Sequence, residues 1–327
     1  MQVIIPLAGK GTRLRPHTHL VPKPLLKVAG RPVMDWVMDR LDGLDVEELI
    51  FITGHLKEQV EQYARSRYSI PSRFIEQRVQ DGTAGAVNLA RPHVHGPVMI
   101  IFVDTVFEAD LGIVRDTDAD GVIWAREVED YQRFGVVVTD ENGYMTRIVE
   151  KPSTPISKLA NIGLYWIRDV DALWAGIDHV LAAPSVKGEY YLTDAFQHMI
   201  ENGRKIRTAE VAGWYDCGQL GTTLETNGIL LEKGAAGHPS FGSDVRIVEP
   251  VLIEAGCIVE RSTIGPNVTI ERGSVVRDST IAEAIIGADC RITGSTIRQA
   301  MLGDRVTLDN FSGSGSIGSD SNWSGDR

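Results

Sequence analysis

The chain has 327 residues, of which 24% are charged and 43% belong to the apolar set, a composition typical of a globular protein of about two domains. Its net charge of −11 argues against a general nucleic-acid surface, which needs an excess of lysine and arginine. No apolar run approaches the roughly 20 residues that cross a bilayer, so we expect no membrane partner. The N-terminus lacks the features of a secretory signal. The dispersed cysteines Cys217, Cys257 and Cys290 are typical of thiols in a reducing compartment, which predicts a cytoplasmic protein.

Strands and helices alternate through the first part of the chain. Short apolar runs predict strands over residues 3–5, 48–53 and 98–103. Helical spacing predicts helices over residues 32–44, 56–68 and 83–90. This alternation indicates a Rossmann-like α/β fold with a mixed, mainly parallel sheet. Ligands of such sheets lie beyond the carboxyl ends of the strands, where Asp104 and a glycine-rich turn both fall.

A repeat begins near residue 240. The tripeptide Ser-Thr-Ile occurs at 262–264, 279–281 and 295–297, and an aliphatic residue recurs about every sixth position around it. Such a period predicts a solenoid of stacked coils, with the aliphatic side chains inside. The segment resembles the hexapeptide-repeat, left-handed parallel β-helix. We therefore predict domains at 1–238 and 239–311, and a disordered Gly/Ser-rich tail at 312–327.

A glycine-rich turn with the sequence L-A-G-K-G-T-R-L-R-P occupies residues 7–16, directly after the first strand. Gly9 and Gly11 allow the backbone to turn tightly and approach a phosphate, and Arg13 and Arg15 add cations. It is not a Walker A loop, and Leu14 stands where the dinucleotide fingerprint needs a third glycine. Alone, the turn could equally be a surface loop with two arginines.

The segment V-P-K-P-L-L-K at residues 21–27 decides between these interpretations. Lys23 lies between two prolines, which leave its backbone little freedom. Together the two motifs resemble the N-terminal signature of the sugar-1-phosphate nucleotidylyltransferases, and in particular the glucose-1-phosphate thymidylyltransferases. The resemblance continues to about residue 235. Two positions depart from the usual pattern, since Lys10 and Val103 stand where the family commonly has glycine.

The resemblance implies a role for each matching position. It implies that the nucleotide is bound by Leu7, Ala8, Gly9, Gly11, Thr12, Gln77 and Gly82. It implies that the sugar is bound by Glu150, Asn161, Gly163, Glu189 and Trp214. It implies that the catalytic cations are Arg13, Lys23 and Lys151. It implies that the ligands of Mg²⁺ are Asp104 and Asp216.

The implied reaction is in-line attack of a sugar 1-phosphate on the α-phosphorus of a nucleoside triphosphate, with release of pyrophosphate. Both reactants are anionic, so we expect catalysis by positioning and charge stabilisation. Glucose 1-phosphate with dTTP or UTP is the first expectation, and mannose 1-phosphate with GTP the second.

Other functions are weighed against this one. A phosphocholine cytidylyltransferase of the same fold is the main alternative, although the segments around Asn161 and Glu189 favour a sugar. Acyl transfer by the solenoid is disfavoured, because residues 239–327 contain no histidine. A non-catalytic nucleotide-sugar sensor is the third possibility. The solenoid is interpreted as an assembly or regulatory element, which predicts a homo-oligomer.

Overall fold

The computed structural model describes residues 1–325 and contains two compact units. The first unit comprises Met1–Gly9 and Val37–Trp214, and the second comprises Lys10–Trp36 and Tyr215–Arg327. Within the described residues, no helix combines the length and apolar character needed to span a membrane.

The first unit contains a mixed nine-stranded sheet. Seven strands follow one another in the order Met145–Glu150, Gly135–Thr139, Leu159–Ile167, Val98–Ile101, Gln2–Pro6, Glu48–Thr53 and Ser72–Glu76. Gly121–Glu127 pairs with Leu159–Ile167, and Ile206–Glu210 pairs with Gly121–Glu127. The last four strands of the series pair in parallel, which confirms the predicted mainly parallel centre.

Six α-helices occur in the described residues. They are α1 (Val33–Met38), α2 (Lys57–Arg67), α3 (Thr83–Asn88), α4 (Val170–Ala182), α5 (Leu192–Glu201) and α6 (Leu220–Leu230). Short 3₁₀ turns lie at Thr12–Leu14, His17–His19, Lys23–Leu25, Asp39–Leu41, Arg91–His93, Gly112–Arg115 and Tyr131–Arg133, and a π turn at Leu231–Ala235. The helix predicted over 32–44 is shorter than expected, because Asp42 leaves the helical conformation at φ −58° and ψ 130°.

The core of the first unit lies between the sheet and its helices. Ile4, Ile50 and Ile100 point from neighbouring parallel strands into one apolar cluster and are fully buried. Ile177 of α4 and Phe196 of α5 are buried in the same cluster. The helices therefore cover the apolar central residues of these strands, as a parallel sheet requires.

The second unit contains a left-handed parallel β-helix, as the repeat predicts. Its strands are Arg246–Ile247, Val251–Ile253, Ile258–Glu260, Thr263–Ile264, Val268–Ile270, Val275–Arg277, Thr280–Ile286, Arg291–Thr293, Thr296–Leu302, Thr307–Asp309, Ser312–Ile317 and Asn322–Ser324. Within the described residues, these strands pair with one another in parallel.

The Ser-Thr-Ile repeat has a physical explanation in this solenoid. Ile281 pairs in register with Ile297 of the next coil, and both are fully buried. The backbone N–H of Ser279 donates to Ser262 Oγ at 3.1 Å, and that of Ser295 donates to Ser279 Oγ at 3.0 Å. Each repeat therefore contributes one isoleucine to the core and one serine to a buried hydrogen-bonded ladder.

The C-terminal tail differs from the prediction of disorder. Ser312–Ile317 and Asn322–Ser324 are strands that pair in parallel with the preceding coil. The Phe311 and Trp323 rings also make an edge contact, with centroids 5.8 Å apart. The expectation of disorder is therefore wrong for 312–325, because the exposed end of a solenoid supplies strand partners that local composition cannot reveal. Residues 326–327 lie outside the described part of the chain.

The boundary predicted at residue 238 also differs from the division into compact units. Lys10–Trp36 and the residues from Tyr215 onward group with the solenoid. Lys27 Nζ lies 2.5 Å from Glu271 Oε2, a contact within this second unit. A catalytic domain of residues 1–238, defined by function, remains a prediction.

Candidate active site

Three predicted site residues follow strands of the parallel part of the sheet, at its carboxyl edge. Leu7 extends the first strand, and its N–H donates to Ile52 O at 2.8 Å. Gln77 follows the strand Ser72–Glu76, and its N–H donates to Thr53 O at 2.8 Å. Asp104 follows Val98–Ile101, which pairs with the first strand on its other side. Residues far apart in the sequence thus lie at the same edge of the sheet, the edge where α/β sheets bind ligands.

The first part of the glycine-rich turn is shaped by its neighbours in the first unit. Gln80 Nε2 donates to Ala8 O at 2.6 Å. A Cβ at Gly54 would lie 2.7 Å from the same oxygen, so only glycine fits there. By contrast, apart from its two chain neighbours, no residue among 1–325 places a heavy atom within 4 Å of a Cβ position at Gly9, which is exposed. The backbone at Gly9 is therefore open to a ligand.

The loop around Gln77 is joined to the predicted sugar-binding segment. Gln77 Nε2 donates to Asp81 Oδ1 at 2.9 Å and to Gly82 O at 3.2 Å. Tyr190 N–H donates to Asp81 O at 2.7 Å. Gly82 has φ +108°, and a Cβ there would lie 2.4 Å from Tyr190 O. Gln77 and Gly82 thus shape a loop that is hydrogen-bonded to the segment containing Tyr190.

Asn161 and Glu150 meet around Gly135. Asn161 Nδ2 donates to Gly135 O at 2.8 Å, and Thr193 Oγ1 donates to Glu150 Oε2 at 3.1 Å. A Cβ at Gly135 would lie 2.3 Å from Asn161 Nδ2, 2.9 Å from Thr193 Cγ2 and 3.0 Å from Glu150 Oε2. Gly135 is therefore the position around which these side chains pack.

Lys151 lies beside this cluster with its ammonium group half exposed. Its Nζ is 3.3 Å from Glu150 Oε1 and 5.1 Å from the centroid of the Tyr191 ring. Its backbone N–H donates to Phe134 O at 3.0 Å, and its φ of 43° is unusual for a residue other than glycine. The backbone thus holds Lys151 in place, while its ammonium group remains accessible to an anion.

Tyr165 holds the side chain of Asn161 by a hydrogen bond. Its hydroxyl donates to Asn161 Oδ1 at 2.5 Å, and Gly163 N–H donates to the same oxygen at 3.3 Å. Burial raises the pKa of Tyr165 well above its usual range, and the negative charges of Glu150 and Asp104 raise this pKa further. Tyr165 therefore remains protonated and acts as a permanent donor, which orients the Asn161 amide.

Two predicted sugar-binding residues occupy different surroundings. Glu189 is exposed on a turn, where its N–H donates to Val186 O at 3.0 Å. Burial raises the pKa of Tyr191, and the negative charge of Glu189 raises this pKa further. Trp214 packs edge-on against Phe134 at 4.9 Å, and its buried Nε1 has no hydrogen-bond partner among the described residues. Glu189 is thus linked to the cluster only through Tyr191, and Trp214 through the ring of Phe134.

The second unit brings together the remaining predicted charges. Asp216 Oδ1 accepts from the Gly218 N–H at 2.7 Å. A Cβ at Gly218 would lie 2.7 Å from this oxygen and 3.4 Å from Arg13 Nη2, so the Asp216 carboxylate and the Arg13 guanidinium both lie beside Gly218. A Cβ at Gly11, where φ is +60°, would lie 3.1 Å from Lys23 Cβ. The glycine turn and the P-K-P-L-L segment are therefore packed directly together.

The surface of the turn within the second unit is strongly basic. Lys10, Thr12, Arg13 and Arg15 are all exposed. Three cations over six residues, with a hydroxyl among them, form a surface suited to phosphate oxygens.

Sequence reasoning missed several residues of these clusters. Gly54, Gly135, Tyr165 and Thr193 make close contacts with the predicted residues, although none was assigned a role from the sequence. Thr193 lies in the segment G-E-Y-Y-L-T-D and Tyr165 in the segment N-I-G-L-Y, both of which the resemblance includes. No sequence signal indicates Gly54 or Gly135, whose contacts arise only in the folded chain.

Comparisons with known proteins agree with this geometry. The chain is 34% identical over 223 residues to the UTP–glucose-1-phosphate uridylyltransferase AglF of Haloferax volcanii, covering 65% of this chain and 89% of that protein. It is 33% identical over 268 residues to the bifunctional protein GlmU of Methanococcus aeolicus, covering 80% of this chain but only 61% of that protein. Its fold resembles a UDP-glucose pyrophosphorylase crystallised with UDP-glucose, with a TM-score of 0.63 at 20% identity over 71% of this chain and 98% of that one. Residues 2–233 match the nucleotidyl transferase family, and the chain belongs to that family.

Proposed function

We propose that this protein is a sugar-1-phosphate nucleotidylyltransferase, which forms a nucleoside diphosphate sugar and pyrophosphate. The observation that carries the proposal is that Leu7, Gln77 and Asp104 all follow the carboxyl ends of strands in the parallel part of the sheet. Glucose 1-phosphate with UTP or dTTP is the proposed substrate pair, and the named activity of the Haloferax volcanii relative supports UTP.

The proposed chemistry needs the alignment of two anions rather than proton transfer. The sugar phosphate is already a nucleophile, so the chain has to hold it in line with the α-phosphorus and offset the repulsion between the reactants. Lys151, the accessible cation beside Glu150 and Asn161, would bind the sugar phosphate. Arg13 and Lys23 would bind the triphosphate and stabilise the charge that develops on the departing pyrophosphate.

Mg²⁺ is part of the proposal, and the chemistry of the two candidate ligands suits it. Asp104 and Asp216 offer hard carboxylate oxygens, and no group of three or more His, Cys, Asp or Glu residues among residues 1–325 forms a complete metal cage. Mg²⁺ is commonly held by one or two carboxylates, with water and substrate phosphates completing the shell. When bound, it would neutralise charge on the reacting phosphates.

We also propose that the protein is cytoplasmic and forms a homo-oligomer. Its three cysteines form no disulfide within the described part of the chain, which supports a reducing compartment. Light scattering of the purified protein tests the assembly, and a monomer would contradict it.

The function is tested by pyrophosphate release in the presence of Mg²⁺. Five triphosphates (ATP, GTP, CTP, UTP and dTTP) are crossed with glucose 1-phosphate, mannose 1-phosphate and phosphocholine. We expect release with glucose 1-phosphate and UTP or dTTP, and a loss of about 10²-fold or more in Asp104→Asn. The exposed carboxylate Asp116 provides the matched control Asp116→Asn, which should retain activity. Release only with phosphocholine, or with no pair, would refute the proposal.

A further inference from the structure

Asn227 of α6 is fully buried and uses its side-chain amide to join three segments of the second unit. Its Oδ1 accepts from the Ala29 backbone N–H at 2.9 Å and from the Thr269 hydroxyl at 2.7 Å. Its Nδ2 donates to Asn267 O at 3.3 Å. One side chain thus joins Ala29, two residues after the segment 21–27, to a coil of the solenoid.

The residue before Asn227 makes a similar contact. Thr226 is 1% exposed, and its hydroxyl donates to Asp216 O at 3.0 Å. Two consecutive buried side chains of α6 therefore hold the backbone of a candidate metal ligand and the segment that carries Lys23.

The same segment meets the solenoid at two further points. Lys27 Nζ is paired with Glu271 Oε2 at 2.5 Å, and the Glu271 side chain is only 8% exposed. A Cβ at Gly30 would lie 2.6 Å from Leu252 Cδ2. The four residues from Lys27 to Gly30 are therefore held by an ion pair, a buried hydrogen bond and close packing.

We propose that Asn227 is a positioning residue, which fixes the segment containing Lys23 against the solenoid so that the solenoid forms part of the framework of the active site. The inference rests on the proposed function for its consequence in catalysis. The structural part of the proposal is that the Asn227 amide holds residues 23–31 in place, and this part can be tested without an activity assay.

The physical reason lies in the short path from Asn227 to the cations. Lys23 is six residues from Ala29, and its Cβ packs against Gly11 in the glycine-rich turn. When the amide is removed, the buried Ala29 N–H and Thr269 hydroxyl lose their acceptor, so the segment must move to recover hydrogen bonds. Displacement of a catalytic group by about 1 Å can reduce a rate by about 10²-fold.

The first test is hydrogen–deuterium exchange of the full chain. Asn227→Leu keeps a similar volume but removes the amide, and Thr269→Val removes only the hydroxyl and serves if the first variant does not fold. The control is Ser274→Ala, because Ser274 is also a fully buried solenoid residue, with its hydroxyl donating to Gly287 O at 2.8 Å. We expect amides of residues 23–31 to exchange at least tenfold faster in Asn227→Leu, and less so in Thr269→Val. Unchanged exchange in both, or an equal increase in the control, would overturn the inference.

The second test separates positioning from general stability by combining Asn227→Leu with Lys23→Met. We expect Asn227→Leu to lower kcat/KM for the triphosphate by about 10- to 100-fold, while Ser274→Ala stays within twofold of the wild type. In the Lys23→Met background the same change should have less than a twofold effect, because the group being positioned is absent. An equal loss in both backgrounds would overturn the positioning role. If the wild type shows no nucleotidyl transfer, the proposed function fails while the exchange result still stands.

Discussion

Removal of the Lys27 ammonium group should destabilise the protein strongly at pH 7 and very little at pH 5. The Glu271 side chain is 8% exposed, and its partner Lys27 is 29% exposed. In Lys27→Met the aliphatic stem remains, but the carboxylate is left buried without its cation, a situation that typically costs several kcal/mol.

Protonation of Glu271 sets an upper limit to this cost. The ordinary pKa of its carboxyl is 4.5, and burial raises the pKa in the folded protein, although Lys27 opposes the increase. If the unpaired charge costs more than protonation, Glu271 takes up a proton instead. Protonation at pH 7 of a carboxyl whose ordinary pKa is 4.5 costs about 3.4 kcal/mol, because pH 7 lies about 2.5 pH units higher and each unit is worth about 1.36 kcal/mol. The buried charge left by the loss of Lys27 therefore costs at most about 3.4 kcal/mol at pH 7. At pH 5 the same limit is about 0.7 kcal/mol.

The sign of the pH dependence follows from the raised pKa. The folded protein binds the Glu271 proton more tightly than the unfolded chain, so this group favours folding at low pH and the benefit is lost as the pH rises through the folded pKa. Without Lys27 the folded pKa rises further, so the loss of stability between pH 5 and pH 7 becomes larger.

Thermal denaturation at pH 5, 6 and 7 measures the effect. At about 2 °C per kcal/mol, Tm should fall by up to about 7 °C at pH 7 and by about 1 °C at pH 5. Glu271→Gln keeps the shape and an oxygen acceptor for Lys27, so it should shift Tm less and without pH dependence. The double variant should recover most of the loss at pH 7. An equal fall of Tm at pH 5 and pH 7 in Lys27→Met would refute the reasoning.

Three further substitutions test the contacts described for the candidate active site within the first unit. Gly135→Ala places a Cβ 2.3 Å from Asn161 Nδ2, so we expect a loss of about 10-fold or more in kcat/KM for glucose 1-phosphate, and wild-type kinetics would contradict the assigned cluster. Gly82→Ala, at φ +108° and 2.4 Å from Tyr190 O, should raise KM for the triphosphate and lower Tm by several degrees, as checked by initial rates and calorimetry. Tyr165→Phe removes the 2.5 Å hydrogen bond to Asn161 and should cost about 1–3 kcal/mol of stability. Because the pKa of Tyr165 is raised, its effect on KM for glucose 1-phosphate should be constant from pH 6 to pH 9, and an effect confined to one end of that range would argue against a permanent donor.

Local patterns in the sequence determined the type of each unit. Apolar runs identified the central strands, because strands of a parallel sheet are buried on both faces and tolerate few polar residues. The Ser-Thr-Ile repeat identified the solenoid, since each coil has to place Ile281 and its equivalents in the same core. The motifs at residues 7–16 and 21–27 predicted a phosphate-binding turn, because glycine allows the backbone to turn tightly beside a phosphate and proline restricts the backbone on both sides of Lys23.

Only the tertiary structure decided which segments belong together. Nothing in the sequence near Lys27 or Ala29 indicates Glu271 and Asn227 as partners, since about 200 or more residues separate them. The contact between Gly135 and Asn161 was likewise not predicted, because it joins two different strands. The hydrogen bond between Tyr165 and Asn161 was not predicted either, because it accompanies an irregularity within their shared strand. The tail at 312–325 gains its strands from the adjacent coil rather than from its own composition. Backbone restrictions and burial periodicity are properties of short segments and can be read from the sequence, whereas hydrogen bonds and ion pairs between distant segments arise only when the chain has folded.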